Sequence, residues 1–154
     1  MHKAELKEIV KKIKLLVLDV DGVLTDGSLF YSKDGEAIKR FHVRDGQGIK
    51  LAQSYQIEIA IISARNCEIV KNRFTELEVK HIYQHCYDKG KKIKELSDEL
   101  KIGLSEIAYI GDDILDVPPL EIVGLPICPK DAHPSAKSKA KLITEANGGC
   151  DCVR

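Results

Sequence analysis

Three short apolar runs constrain this chain more than anything else in it: 15–20 (LLVLDV), 57–63 (IEIAIIS) and 106–112 (EIAYIGD). Each is too short for a helix and too continuously apolar for a strand with one wet face, so each reads as a strand buried on both sides. Weaker runs of the same kind are 81–84, 125–128 and 141–144. Between them the apolar spacing switches to the helical period. Ile49, Leu51 and Ala52 mark a helix over 46–55. Ile69, Val70, Phe74 and Leu77 mark another over 66–77, and Ile93, Leu96 and Leu100 a third over 89–100. Leu6, Ile9, Val10 and Ile13 predict an amphipathic helix over 3–13, and Gly103 is expected to end the helix before the third strong strand. Strand and helix in alternation predict an α/β fold, a three-layer, Rossmann-like parallel sheet with helices on both faces.

One insertion breaks the rhythm. Residues 28–43 carry strand-type residues on either side of Asp34-Gly35, a strong signal for a tight turn, and predict a β-hairpin projecting after the first strand. A length of 154 residues suits one domain, 1–154. Twenty-four Lys and Arg balance 24 Asp and Glu, which argues against a nucleic-acid binder that neutralises phosphates. No apolar run reaches the ~20 residues of a membrane span, and residues 1–14 lack a signal-peptide core. Five Cys without a CxxC pair fit reduced thiols, hence an expected cytoplasmic location.

The strands end in chemistry. Asp19 and Asp21 close the first run, where the chain turns and both carboxylates can face the crevice beyond the strand ends. A solvated Asp-rich turn is the plain alternative. Asp112, Asp113 and Asp116 follow the third run at the same sheet edge, with Asp113 and Asp116 expected on one face of the helix that starts there. Acidic residues at a helix start also suit its dipole. Two such clusters together suggest an all-oxygen Mg²⁺ site. Ser63 closes the second run, as a phosphate contact or a helix cap. Lys89 opens a helix in a Lys-rich stretch that would otherwise read as a solvated face.

The order DVDGVLT, SAR, Lys89 and GDDILD resembles the motifs of the haloacid-dehalogenase-like phosphatases. DVDGVLTDG, FHVRDGQGI, SAR and GDDILD resemble more narrowly the 3-deoxy-D-manno-octulosonate 8-phosphate phosphatase family, from about residue 14 onward. The resemblance implies a phosphomonoester hydrolase acting on a sugar-acid phosphate in the route to lipopolysaccharide. Asp19 would be the nucleophile that forms an aspartyl-phosphate, and Asp21 the general acid and then base. Mg²⁺ would be held by the Asp19 and Asp112 carboxylates and the Asp21 carbonyl, with Asp113 and Asp116 behind them. Ser63 and Lys89 would hold the phosphoryl oxygens. His42, Val43, Arg44, Asp45, Gly46 and Lys50 would line the sugar-acid site, and Arg65 and Arg73 would grip its carboxylate or hydroxyls. Position 42 is often Asn in the family. The 43 residues between Asp19 and Ser63 leave no room for a cap domain. In the family, four hairpins meet in a homotetramer, and a tail follows the pair matching Gly148-Gly149; the sequence stops at Arg154, so the tail is expected to be short or the sequence truncated.

Other readings compete with this one. A nine-carbon sugar-acid 9-phosphate is the rival substrate. A regulatory or assembly module that has lost the chemistry is the rival class, against which the intact Asp19, Asp21, Ser63, Lys89 and Asp112 set argues. Cys150 and Cys152 form a CxC with no further ligands close in sequence, and no P-loop, GxSxG or HExxH motif occurs.

Overall fold

The computed structural model describes residues 3–154, and all of the expected buried runs form strands. In chain order the elements are α1 (Lys3–Val10), β1 (Leu15–Leu18), β2 (Phe30–Ser32), β3 (Gly35–Ile38), α2 (Val43–Ser54), β4 (Glu58–Ile62), α3 (Glu68–Glu76), β5 (His81–Tyr83) and α4 (Lys89–Leu100). There follow β6 (Ile107–Ile110), α5 (Val117–Ile122), β7 (Leu125–Cys128), α6 (Pro134–Lys137) and β8 (Leu142–Ile143). Two 3₁₀ turns, Leu104–Glu106 and Ile114–Asp116, bracket β6.

Six strands form one sheet in the order β5-β4-β1-β6-β7-β8, and every pairing is parallel. In register, Val17 of β1 lies between Ala60 of β4 and Tyr109 of β6. The chain leaves β1 toward β4 and β5, then crosses back to β6. That reversal opens a crevice at the carboxyl ends of the strands, where β1 and β6 adjoin.

Strand alternation splits the core into two layers. Leu18, Ile59 and Ile61 pack with Ile49 of α2 and with Val70 and Phe74 of α3. Leu15, Val17, Ala60, Ile62, Ile107 and Tyr109 pack with Ile93 and Leu96 of α4 and Leu120 of α5. Complete burial of such side chains contributes roughly 1.5–3 kcal/mol each, which is why the continuous runs stay between the helices.

Several local expectations shift. The helix near the N-terminus ends at Val10, which is exposed. Gly103 does not end α4. Lys101 takes the left-handed conformation at φ 55°, while Gly103 opens the next 3₁₀ turn. Lys101 can do so because its N–H and that of Ile102 reach the Asp98 and Ser97 carbonyls at 3.3 and 3.0 Å.

The hairpin is shorter than expected, and its turn is Lys33-Asp34, because Ser32 pairs with Gly35. Beyond Ile38 the chain folds back onto the sheet layers. Phe41 meets Phe74 edge-on at 5.7 Å, and His42 caps α2 by accepting from the Arg44 N–H at 3.3 Å. Helix α2 therefore starts at Val43, ahead of the apolar residues that marked it in the sequence. No cap domain intervenes between β1 and β4. No helix among the described residues is long and apolar enough to cross a membrane.

Candidate active site

Asp19 follows β1 directly, and its N–H donates to Ile110 of β6 at 3.0 Å. The next residues fold tightly. The N–H groups of Leu24 and Thr25 both reach the Val20 carbonyl, at 2.9 and 3.0 Å. Gly22 sits at φ 90°, and a Cβ there would lie 2.0 Å from the Asp112 carboxylate. Only glycine satisfies both demands, so the sharp turn after Asp19 and the approach of Asp112 depend on one residue.

Lys89 opens α4 and is almost wholly buried. Its ammonium donates to Asp19 at 2.8 Å and to Asp116 at 2.6 Å. The Lys-rich stretch thus does contain one lysine that turns inward. Asp116 also accepts from the Tyr109 hydroxyl at 2.5 Å and from the N–H groups of Asp112 and Asp113 at 2.8 and 3.1 Å. With four donors on two oxygens, Asp116 is saturated and serves to hold Lys89 and the 111–113 loop in place. Asp113 points away, exposed, and caps the 3₁₀ turn by accepting from Ile114 N–H at 2.7 Å. Asp113 and Asp116 therefore do not share the face of a helix, because the chain makes a 3₁₀ turn first.

Asp19, Asp112 and Asp116 each bring a carboxylate oxygen within 4.8 Å of the others. Burial pushes the Asp19 carboxyl up to about 6 against the pull of Lys89, and Asp116 adds to the rise. Burial, then Asp19 and Asp116, push Asp112 up to about 8. Burial works to lower the Lys89 ammonium, yet its two carboxylate partners raise it well above the usual range, so it stays charged.

Asp21 faces the other side of the crevice and pairs with Lys39. Lys39 comes from the end of the hairpin, its side chain fully buried, and its ammonium lies 2.9 Å from Glu36. Arg65 meets the same group. Its guanidinium donates to Glu36 at 3.2 Å and to the Tyr31 hydroxyl at 3.0 Å, and its Nε stands 3.7 Å from Asp21. Sequence reasoning missed Lys39, Glu36 and Tyr31. The available signal was a Glu and a Lys three apart at the foot of an otherwise ordinary strand. Around the crevice Asp19, Asp21, Glu36, Asp112 and Asp116 face Lys39, Arg65 and Lys89. The carboxylates outnumber the cations by two, and the surplus is all oxygen, which suits a hard divalent cation.

Ser63 follows β4 at this edge and is buried, and its Oγ accepts from the Arg65 N–H at 3.2 Å. It is not a helix cap, because α3 begins only at Glu68, with Cys67 at its N-cap. Arg65 consequently lies in the loop, so Arg65 and Arg73 do not share a helix face. Arg73 pairs with Glu76 at 3.1 Å and packs over Gly46, where a Cβ would lie 2.6 Å from its guanidinium.

The remaining expected sugar-site residues lie on and just before α2. Val43 is 77% exposed, and Arg44 pairs with Asp151 at 2.8 Å. Asp45 is buried and accepts from the N–H groups of Val153, Asp151 and Arg154 at 2.8, 3.3 and 3.3 Å. Lys50 pairs with Glu78 beside an open groove of about 590 Å³ at the opposite edge of the sheet, far from the carboxylates.

This architecture has close counterparts. Residues 79–153 match the family model described as haloacid dehalogenase-like hydrolase. The 3-deoxy-D-manno-octulosonate 8-phosphate phosphatase of Escherichia coli strain B is 40% identical over 151 residues, which cover 98% of this chain and 80% of the relative. Among solved structures, the 3-deoxy-D-manno-octulosonate 8-phosphate phosphatase of Moraxella catarrhalis, in complex with magnesium, phosphate and a KDO molecule, superposes with a TM-score of 0.95. It is 36% identical, and the match covers 99% of this chain and 87% of that one. The cobalt-bound deoxy-D-mannose-octulosonate 8-phosphate phosphatase of Haemophilus influenzae gives a TM-score of 0.92 at 36% identity, over 95% of this chain and 85% of that one.

Proposed function

This chain belongs to the 3-deoxy-D-manno-octulosonate 8-phosphate phosphatases, a family of haloacid dehalogenase-like hydrolases, and on that footing we propose that it hydrolyses 3-deoxy-D-manno-octulosonate 8-phosphate to 3-deoxy-D-manno-octulosonate and phosphate. The observation that carries the proposal is the buried Asp19–Lys89–Asp116 arrangement, with Asp112 pressed over Gly22. An Asp carboxylate at a strand end, with a fixed cation 2.8 Å away, is placed to attack phosphorus beside a group that offsets the incoming dianion.

Asp19 forms the aspartyl-phosphate. Asp21 protonates the leaving sugar oxygen and then takes a proton from the water that hydrolyses the intermediate. Lys89 and Ser63 hold the phosphoryl oxygens. The Asp19 and Asp112 carboxylates and the Asp21 carbonyl would hold Mg²⁺, in keeping with the all-oxygen surplus of the crevice. When bound, that ion withdraws charge from the phosphoryl oxygens. Arg65 is the cation nearest Asp21 that can meet the sugar-acid carboxylate, in the bidentate manner suited to a guanidinium.

The hairpin supports a further part of the proposal. Leu29, Phe30 and Ile38 are 45%, 51% and 61% exposed, apolar groups that a two-stranded ribbon cannot bury alone. They pack against copies of themselves in a homotetramer, a closed assembly that covers the same patch on every subunit. His42, Val43, Arg44, Gly46 and Lys50 then reach substrate across a subunit boundary. The chain acts as a single hydrolase domain, 1–154, in the cytoplasm, on the route to lipopolysaccharide.

A phosphate-release screen over sugar phosphates with Mg²⁺ tests the activity. The eight-carbon sugar-acid phosphate should give the highest kcat/KM. A clear preference for a nine-carbon acid or a neutral hexose phosphate would overturn the substrate assignment.

A further inference from the structure

The hairpin does more at the crevice than its exposed outer face requires. Lys39 lies 18 positions beyond Asp21 in the chain, yet its ammonium is fully buried against Asp21 Oδ1. Glu36 fixes the ammonium from the other side at 2.9 Å, and Glu36 is itself held by Arg65 at 3.2 Å. A buried ammonium is costly unless it is paired and hydrogen-bonded. The Lys39 ammonium is paired twice, donating to carboxylate oxygens of both Asp21 and Glu36. A cation held this firmly beside a carboxylate orients that carboxylate.

We infer that Lys39 is a positioning residue for the protonation of the leaving group, gripping Oδ1 of Asp21 so that Oδ2 is the oxygen turned to the substrate. The inference rests on the reading of Asp21 as the acid. Among the described residues, Oδ2 has no hydrogen-bond donor closer than the Arg65 Nε at 3.7 Å, and that Nε makes no hydrogen bond of its own. In the step concerned, an Asp19 oxygen forms a bond to phosphorus as the phosphorus–sugar oxygen bond breaks. The proton on Asp21 Oδ2 moves to the departing oxygen, which leaves as the alcohol, and Asp21 becomes a carboxylate. Lys39 takes no part in the bond changes. It keeps one oxygen of Asp21 occupied, which stops the carboxyl from turning its proton away.

This role leaves a signature that a purely structural role would not. An alkyl ester needs its leaving oxygen protonated, whereas 4-nitrophenolate leaves without help. The value of kcat/KM reports the steps up to loss of the leaving group, so the later hydrolysis of the aspartyl-phosphate does not enter it. Lys39→Met removes the charge and nearly preserves the volume. It should lower kcat/KM for the sugar-acid phosphate by about tenfold or more, a part of the ~10²–10⁴ that a general acid supplies, and change it for 4-nitrophenyl phosphate by less than about threefold.

Because Lys39→Met alone leaves Glu36 and Asp21 facing each other, the charge-balanced pair Glu36→Gln with Lys39→Met is measured beside it, with thermal unfolding of both. The same split between the two substrates is expected. Equal losses on both esters, or no loss on either, would overturn the inference. Asp21→Asn is the control that separates the two levels of the argument. If it too fails to discriminate between the esters, Asp21 is not the acid and the underlying reading falls. If it discriminates and the Lys39 variants do not, only the role of Lys39 falls. Should the wild-type protein ignore the sugar-acid phosphate, the comparison is made with the alkyl phosphate it hydrolyses best.

Discussion

The crevice at the end of β1 and the outer face of the hairpin solve opposite problems. In the crevice the charges are buried or half-buried, and the buried cations are answered inside the chain: Lys89 by Asp19 and Asp116, Lys39 by Asp21 and Glu36. On the hairpin, Phe30 and Ile38 stand more than half exposed, with nothing among the described residues to cover them. The crevice is expensive to build and complete in its charges save for a divalent cation. The hairpin surface costs the chain little and is the face proposed to pack against other copies. Yet the inner face of the same hairpin delivers Tyr31, Glu36 and Lys39 to the crevice, so one element serves both regions.

The largest test of this contrast is Asp19→Asn. An amide cannot attack phosphorus, so phosphate release should vanish while light scattering reports the same assembly as wild type. Residual turnover near the wild-type rate would remove Asp19 as nucleophile.

Next comes Lys89→Met in the metal-free protein. Removing the cation leaves Asp19 and Asp116 buried together, and breaking a buried pair in this way costs about 3–5 kcal/mol. Urea unfolding measures it. A loss below about 1 kcal/mol, the usual worth of an exposed pair, would mean that the crevice is wetter than its burial indicates.

Somewhat smaller is the coupling of metal to pH. The folded-state values of Asp19 and Asp112 are raised to about 6 and about 8, so the folded metal-free protein holds protons that the unfolded chain has released. Their contribution to stability is complete below the ordinary carboxylate range. It is lost as pH rises through about 6 and then about 8. Melting of the metal-free protein should therefore fall across this window. Mg²⁺, which stabilises by about 2.7 kcal/mol when present at a hundred times its Kd, should help more at pH 8 than at pH 5. A Mg²⁺ effect that is flat with pH would contradict the carboxylate site.

The smallest effect on the chain itself should come from the hairpin. Phe30→Ser with Ile38→Ser should shift the stability of the separated subunit by no more than ~0.5 kcal/mol per site, as for exposed positions generally. The same pair should convert the proposed tetramer to smaller species in light scattering. An unchanged assembly would show that the exposed apolar face is not the contact.

How far the sequence led can be traced through particular residues. Lys89 was only one lysine in a run of them until the resemblance singled it out, and its burial between two aspartates is a tertiary fact. Asp45 was expected near the sugar; in the chain it accepts from three N–H groups more than a hundred residues later, a pairing that no local pattern encodes. Lys50 was expected beside it, but a helix that starts at the carboxyl edge and runs back along the sheet carries its later residues to the opposite edge. Arg65 and Arg73 lie eight positions apart, a spacing of about two helical turns, but α3 begins only at Glu68 and leaves Arg65 in the loop before it.

By itself the sequence determined the parallel sheet, the two helical layers and the rank of carboxylates at one edge. Burial on both faces of a strand writes itself as a continuous apolar run, and residues just past such runs must emerge at the same edge. What only the tertiary structure decided is which charges meet. That Lys39 reaches Asp21, that Asp116 takes up Lys89, the Tyr109 hydroxyl and two N–H groups, and that Asp45 turns to the C-terminal segment all depend on how the hairpin and the last residues fold back over the sheet. Hydrophobic patterning is local and repeats along the chain, while the pairing of buried charges depends on distances of a few ångströms between segments that the sequence keeps far apart.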